Sequence, residues 1–173
     1  LAYFGVGLLL GASSVALVAA TIGGVFQALL PPSLRLGPLA LLAGVVFLRE
    51  AGLITLTVPE NKRLVPEHVL GRGRVLGGIQ FGFEMGTGMR TYSPSALPHL
   101  VLVSLVLAVP FSGAMAAAAG FAAARWIMAA ASIFHSDDGE WTELWFDNQR
   151  LLAVATAVQT IVSLLLGLWT AGW

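Results

Sequence analysis

Glu84 and Arg90 are the residues best placed to do chemistry in this sequence, because both interrupt the otherwise apolar stretch from Val75 to Phe134. An ionisable side chain at the centre of a membrane helix costs roughly 2.5 to 3.5 kcal/mol on insertion scales, so it normally faces protein or a water-filled cavity. Around and after them come Thr91, Tyr92, Ser93, Pro94, Pro98 and His99. Proline breaks a helix and frees backbone groups, and half-helix ends of this kind bind ions or substrates in transporters. One expectation is therefore a polar cavity at a helix break, lined by Glu84, Arg90, Thr91, Tyr92, Ser93, Pro94, Pro98 and His99. The structural alternative is mutual neutralisation. Arg49, Glu50 and Arg125 also lie in apolar runs, and Glu84 is within reach of pairing with Arg49 or Arg125 if the helices adjoin. With this many opposite charges to hand, a structural network is the favoured reading.

Other constellations carry less. Met85 and Met89 are four apart, hence on one helical face, and His99 follows; together they would make a soft-metal path. Methionine fills gaps in apolar cores by default, and neither cysteine nor a histidine pair supports a site, so no metal site and no cofactor are expected. Gly82, Gly86 and Gly88 follow no strand and match neither a phosphate loop nor a dinucleotide fingerprint. Gly78, Gly82 and Gly86, spaced by four, instead form a groove for a neighbouring helix. His68, His99 and His135 have no spacing that would assemble a nucleophile, a base and an orienting group, so an enzyme is not expected. Zero cysteines exclude disulfides, thiolate metal sites and a cysteine nucleophile.

The elements that must position these residues are membrane helices. The chain of 173 residues is 57% hydrophobic and 10% charged, whereas a soluble domain carries roughly a quarter charged residues. Mean hydropathy is +0.85. Nine basic residues balance nine acidic ones, leaving no electrostatic footprint for nucleic acid. Leu1 to Leu30 is uncharged and long enough to cross a bilayer, and Pro31 and Pro32 end it. Arg35 then marks a short polar turn, and a second span is expected from Leu36 to Val58, stopped by Pro59. The loop 59–74 holds Lys62, Arg63, Arg72 and Arg74, which places it in the cytoplasm by the positive-inside bias. Val75 to Phe134 holds either three spans or two, the first of the two broken near Pro94. The acidic segment 135–150, with Trp141 and Trp145, is expected to lie along the lipid surface before a last span from Leu151 to Trp173. The sum is an all-α polytopic helical bundle of five or six crossings, forming one transmembrane domain over residues 1–173. No pattern of a cleavable signal peptide is present, and the sequence opens on Leu1 rather than Met, which leaves open whether a segment precedes it.

The run from Gly78 through Glu84, Gly88 and Pro94 to Pro98 resembles the DsbD and CcdA transmembrane family, the cytochrome c biogenesis transmembrane region. That family has a glycine-rich half helix, a proline-bearing break, an apolar half helix and then a Gly- and Ala-rich helix, which Gly113 to Ala131 matches in order. The segments before the basic loop are similar to the family's second and third helices, so the resemblance covers most of the chain with the family's first helix absent, and it favours five crossings. Family members pass electrons through a cysteine pair. Here Thr91, Tyr92, Ser93 and Pro94 stand where a reactive cysteine belongs, and none of them undergoes thiol exchange. The resemblance thus implies a redox-inactive scaffold in a bacterial cytoplasmic membrane. Its expected partners are the lipid bilayer and other membrane protein subunits or further copies of itself. A small transporter or ion pathway is the competing expectation.

Overall fold

The computed structural model describes residues 1–57, 69, 71–88, 95–134 and 138–170. Among these the chain forms six helices and no strands: α1 (Ala2–Leu29), α2 (Pro32–Glu50), α3 (Arg74–Gly86), α4 (Leu97–Leu107), α5 (Phe111–Phe134) and α6 (Asp138–Thr170). Three of them, α1, α2 and α5, are long and apolar enough to cross a membrane. The 11 residues of α4 rise only about 16 Å, half of a hydrocarbon core of about 30 Å.

These helices group into two compact units, the first formed by Leu1–Val18, α3 and α5. Here α1 and α3 touch backbone to backbone. A Cβ on Gly7 would come 2.8 Å from the Phe83 nitrogen, and one on Gly82 would come 2.9 Å from the Leu8 nitrogen. Gly11 and Gly86 continue the seam, so the four-residue glycine spacing does pack a neighbouring helix. Phe4 and Phe81 flank it, with ring centroids 5.6 Å apart. From α5, Trp126 lies over Gly5 and its indole N–H donates to the Leu1 carbonyl at 3.2 Å. The buried positions of α5 are Ala114, Ala118, Ala122 and Ala130, while Phe111, Ile127, Ile133 and Phe134 are exposed. Small residues inside and large apolar ones outside reverse the pattern of a water-soluble helix. The reversal follows when lipid is the solvent, because outward burial gains nothing over lipid and only close backbone approach adds dispersion energy.

The second unit holds the rest of α1, α2, α4 and α6 from Thr142 onward. Its core is the α2–α4 contact, where Leu39 and Val46 meet Ala96, Leu100 and Ala108. Two expectations are corrected here. Arg35 is not in a turn: α2 starts at Pro32, where a missing N–H costs nothing, and Arg35 lies in its first turns. Nor does this helix run to Val58. It ends at Glu50 because Gly52 takes φ +74°, a left-handed conformation that glycine adopts without steric cost. The Leu53 N–H then bonds the Leu48 carbonyl and the Gly52 N–H bonds the Arg49 carbonyl, each at 2.9 Å. That pair of bonds closes the helix end, and residues 53–57 continue without helix.

From Asp138 on, the acidic segment is continuous with the expected last span as α6, which runs unbroken for 33 residues to Thr170. No proline or glycine stands between Glu140 and Leu166 to separate a surface helix from a span.

Candidate functional site

The buried polar groups of the second unit gather at the two ends of α4. A helix in an apolar medium has orphan N–H groups at its start and orphan carbonyls at its end, and no water to satisfy them. At the start, Glu50 Oε1 accepts the Ala96 N–H at 2.8 Å. The same oxygen accepts Arg49 Nη1 at 2.8 Å, so the carboxylate is neutralised where it is used. Arg49 also donates from Nε to the Leu56 carbonyl at 2.9 Å, tying down the chain beyond Gly52. Ser95 Oγ accepts the Leu97 N–H at 3.1 Å, completing the N-terminal cap.

At the other end, Arg35 Nη1 donates to the Leu107 carbonyl at 2.9 Å and Nε donates to the Leu30 carbonyl at 3.0 Å. Gln27 Nε2 donates to the carbonyls of Val106 and Val109, both at 3.2 Å. Arg35 is 4% exposed, and this guanidinium is the most buried charge among the described residues. An acid at the N-terminus and a base at the C-terminus each complement the helix dipole. Within α4, the Ser104 hydroxyl bonds back to the Leu100 carbonyl at 2.7 Å, which hides its polarity inside the helix.

No protein family, curated protein or solved structure matches the chain.

Of the expected site residues, Arg49 and Glu50 form a direct ion pair at the α2 terminus. Pro98 is an exposed residue of the first turn of α4, and His99 follows it, half-buried. Glu84 is half-buried in the last turn of α3, where its carbonyl accepts the Thr87 hydroxyl at 2.8 Å. Arg125 lies on α5 and donates to the Met85 carbonyl at 3.4 Å, with its guanidinium 5.1 Å from the Phe121 ring centroid. It thus serves the end of α3 much as Arg35 serves the end of α4. Arg90, Thr91, Tyr92, Ser93 and Pro94 lie outside the described residues, as does Met89.

Sequence reasoning passed over Arg35 and Gln27. A signal was present: Arg35 is the only charged residue between Leu1 and Leu48, and a lone guanidinium in so apolar a stretch must be satisfied by protein. The neighbouring Pro31, Pro32, Gly37 and Pro38 disguised it as a surface turn.

Proposed function

We propose that this is a non-catalytic membrane protein, a redox-inactive scaffold similar to the DsbD and CcdA transmembrane region, acting as a subunit or helper of a larger membrane complex. The observation that carries the reading is the use of Glu50 and Arg35: both are engaged on the backbone ends of α4, serving architecture. The order of a glycine-faced α3, an interruption containing Pro94, an apolar α4 and an Ala-rich α5 supports the likeness. In this reading the chain crosses the bilayer five times, with α3 and α4 counted as one interrupted crossing and α6 supplying the last. Loop 59–74 faces the cytoplasm because its four basic residues outnumber those of any other connection.

The competing reading is a small transport pathway along Glu84 to Pro98, and it rests on the half-burial of Glu84 beside the interruption. One comparison separates the two. The chain is purified in a gentle detergent and also reconstituted alone into vesicles, with Glu84→Gln and Arg90→Gln made singly and together. The scaffold reading expects stoichiometric membrane partners, no flux by the chain alone, and assembly lost in the single variants but recovered in the double. Solute flux that disappears in each variant while the chain stays folded overturns it.

A further inference from the structure

We infer that α6 pairs with the α6 of a second copy of this chain, parallel and in register, along the exposed stripe Trp145, Gln149, Leu152, Thr156, Gln159 and Ser163. The inference rests on the reading of α6 as the last crossing and deepens it by naming a partner and the face that meets it.

The surface of α6 divides into three sides. One faces the rest of the chain: Ala157 is buried, and Ala153, Val154, Thr160 and Ile161 are half-buried. A second carries Leu151, Val158, Val162 and Leu165, large apolar residues left exposed, as suits contact with lipid. The third is the stripe. Its members are spaced by alternating steps of four and three, the 3.5-residue repeat of a left-handed helix pair, and every one of them is exposed. From Trp145 to Ser163 it extends for about 27 Å of helix.

Gln159 distinguishes this third side from a lipid-facing one. It is the only carboxamide or charged side chain between Leu151 and Trp173, and it lies nine residues beyond Arg150, about 14 Å along the helix. Thr156 and Thr160 hide their hydroxyls by donating to the carbonyls of Leu152 and Thr156, one turn back. Gln159 has no such outlet for its own oxygen, because the backbone N–H groups around it are spent within the helix. The carboxamide makes no hydrogen bond to any described residue, and hydrocarbon supplies none.

The chemistry of this group selects the occupant. A carboxamide is donor and acceptor at once, so a second carboxamide opposite it satisfies both by a reciprocal pair of N–H···O bonds. Copies of one chain insert in one orientation, so their α6 helices run parallel, and a twofold axis along the membrane normal sets each seam residue opposite itself. Gln159 then meets its own copy. Thr156 and Ser163, about one turn to either side, are small enough to let the backbones approach. A single polar pair within such a seam fixes its register.

The absence of native cysteine makes the test direct. Single variants Thr156→Cys, Ser163→Cys, Val158→Cys and Val162→Cys are expressed in cells. The membranes are washed in alkaline carbonate and oxidised with copper phenanthroline, and a non-reducing gel measures the covalent dimer. Thr156→Cys and Ser163→Cys are expected to cross-link, and Val158→Cys and Val162→Cys to remain monomeric. Adding Gln159→Leu to Ser163→Cys is expected to weaken association roughly tenfold on dilution into added lipid, whereas Gln159→Asn keeps the carboxamide and the dimer. Monodisperse elution in detergent shows that each variant is folded. Equal cross-linking at all four positions, or cross-linking at Val158→Cys and Val162→Cys alone, overturns the inference, as does an undiminished dimer in Gln159→Leu. A chain that stays in the washed membranes without cross-linking at either Thr156→Cys or Ser163→Cys also overturns it and leaves the stripe to a different protein. Release of the chain by carbonate overturns the membrane reading itself.

Discussion

Glu50 and Arg35, carried near opposite ends of the same helix, hold opposite ends of a second one: the carboxylate takes the Ala96 N–H and the guanidinium takes the Leu107 carbonyl. The consequence is an antiparallel helix pair clamped at both termini, with Leu39, Val46 and Leu100 packed between.

Removing the N-terminal clamp is expected to be costly. Glu50→Ala strands the Arg49 guanidinium and the Ala96 N–H, and breaking a buried pair on one side costs about 3–5 kcal/mol. Glu50→Gln keeps an acceptor but loses the charge, and falls between Glu50→Ala and the parent. The double change Arg49→Leu with Glu50→Leu removes both charges and is expected to be milder than Glu50→Ala. Thermal unfolding of detergent-solubilised protein ranks the four; equal midpoints for Glu50→Ala and the parent would refute the clamp.

At the far end, Arg35→Lys tests geometry apart from charge. A planar guanidinium reaches the carbonyls of Leu30 and Leu107 together, whereas an ammonium is a point donor on a flexible stem. Both Arg35→Lys and Arg35→Leu are expected to lower stability, the second by about 1–3 kcal/mol for carbonyls left unsatisfied. Hydrogen exchange at Leu105 to Val109 should rise in each. Unchanged exchange in Arg35→Leu would show that Gln27 suffices alone.

Glycines of one chain should split into two classes. Gly82→Val drives a side chain into the α1 backbone at Phe4 and Leu8 and is expected to abolish a monodisperse elution profile. Gly24→Ala and Gly44→Ala meet nothing within 4 Å, so they are expected to be neutral or to stabilise by about 0.5–1 kcal/mol through helix propensity. Similar profiles for Gly82→Val and Gly44→Ala would contradict the seam.

Gly52→Ala places a Cβ on a backbone at φ +74°. The expected penalty is about 1–2 kcal/mol, with loosening of Leu53 to Thr57. Proteolysis after Ala51 under native conditions measures it, and parental protection would refute the requirement.

Composition and hydropathy alone determined that this chain is helical and apolar on the scale of a bilayer, and the expected glycine groove of Gly78, Gly82 and Gly86 was legible for the same reason: lipid favours small residues where helices meet. The first span was also readable, since Pro31 and Pro32 close an uncharged apolar run of bilayer length. The far end of α2 was not. Leu53 to Val58 is as hydrophobic as what precedes it, and only the φ of Gly52 and the bonds around it end the helix there. The length of α6 escaped too, because charged and apolar residues propagate the same backbone hydrogen bonds. Above all, which charges would be buried depended on tertiary structure. Arg35 reads like a turn residue and Arg49 like a partner for Glu84, yet a helix too short to reach its own solvent needs donors and acceptors from its neighbours, and folding decides which side chains arrive.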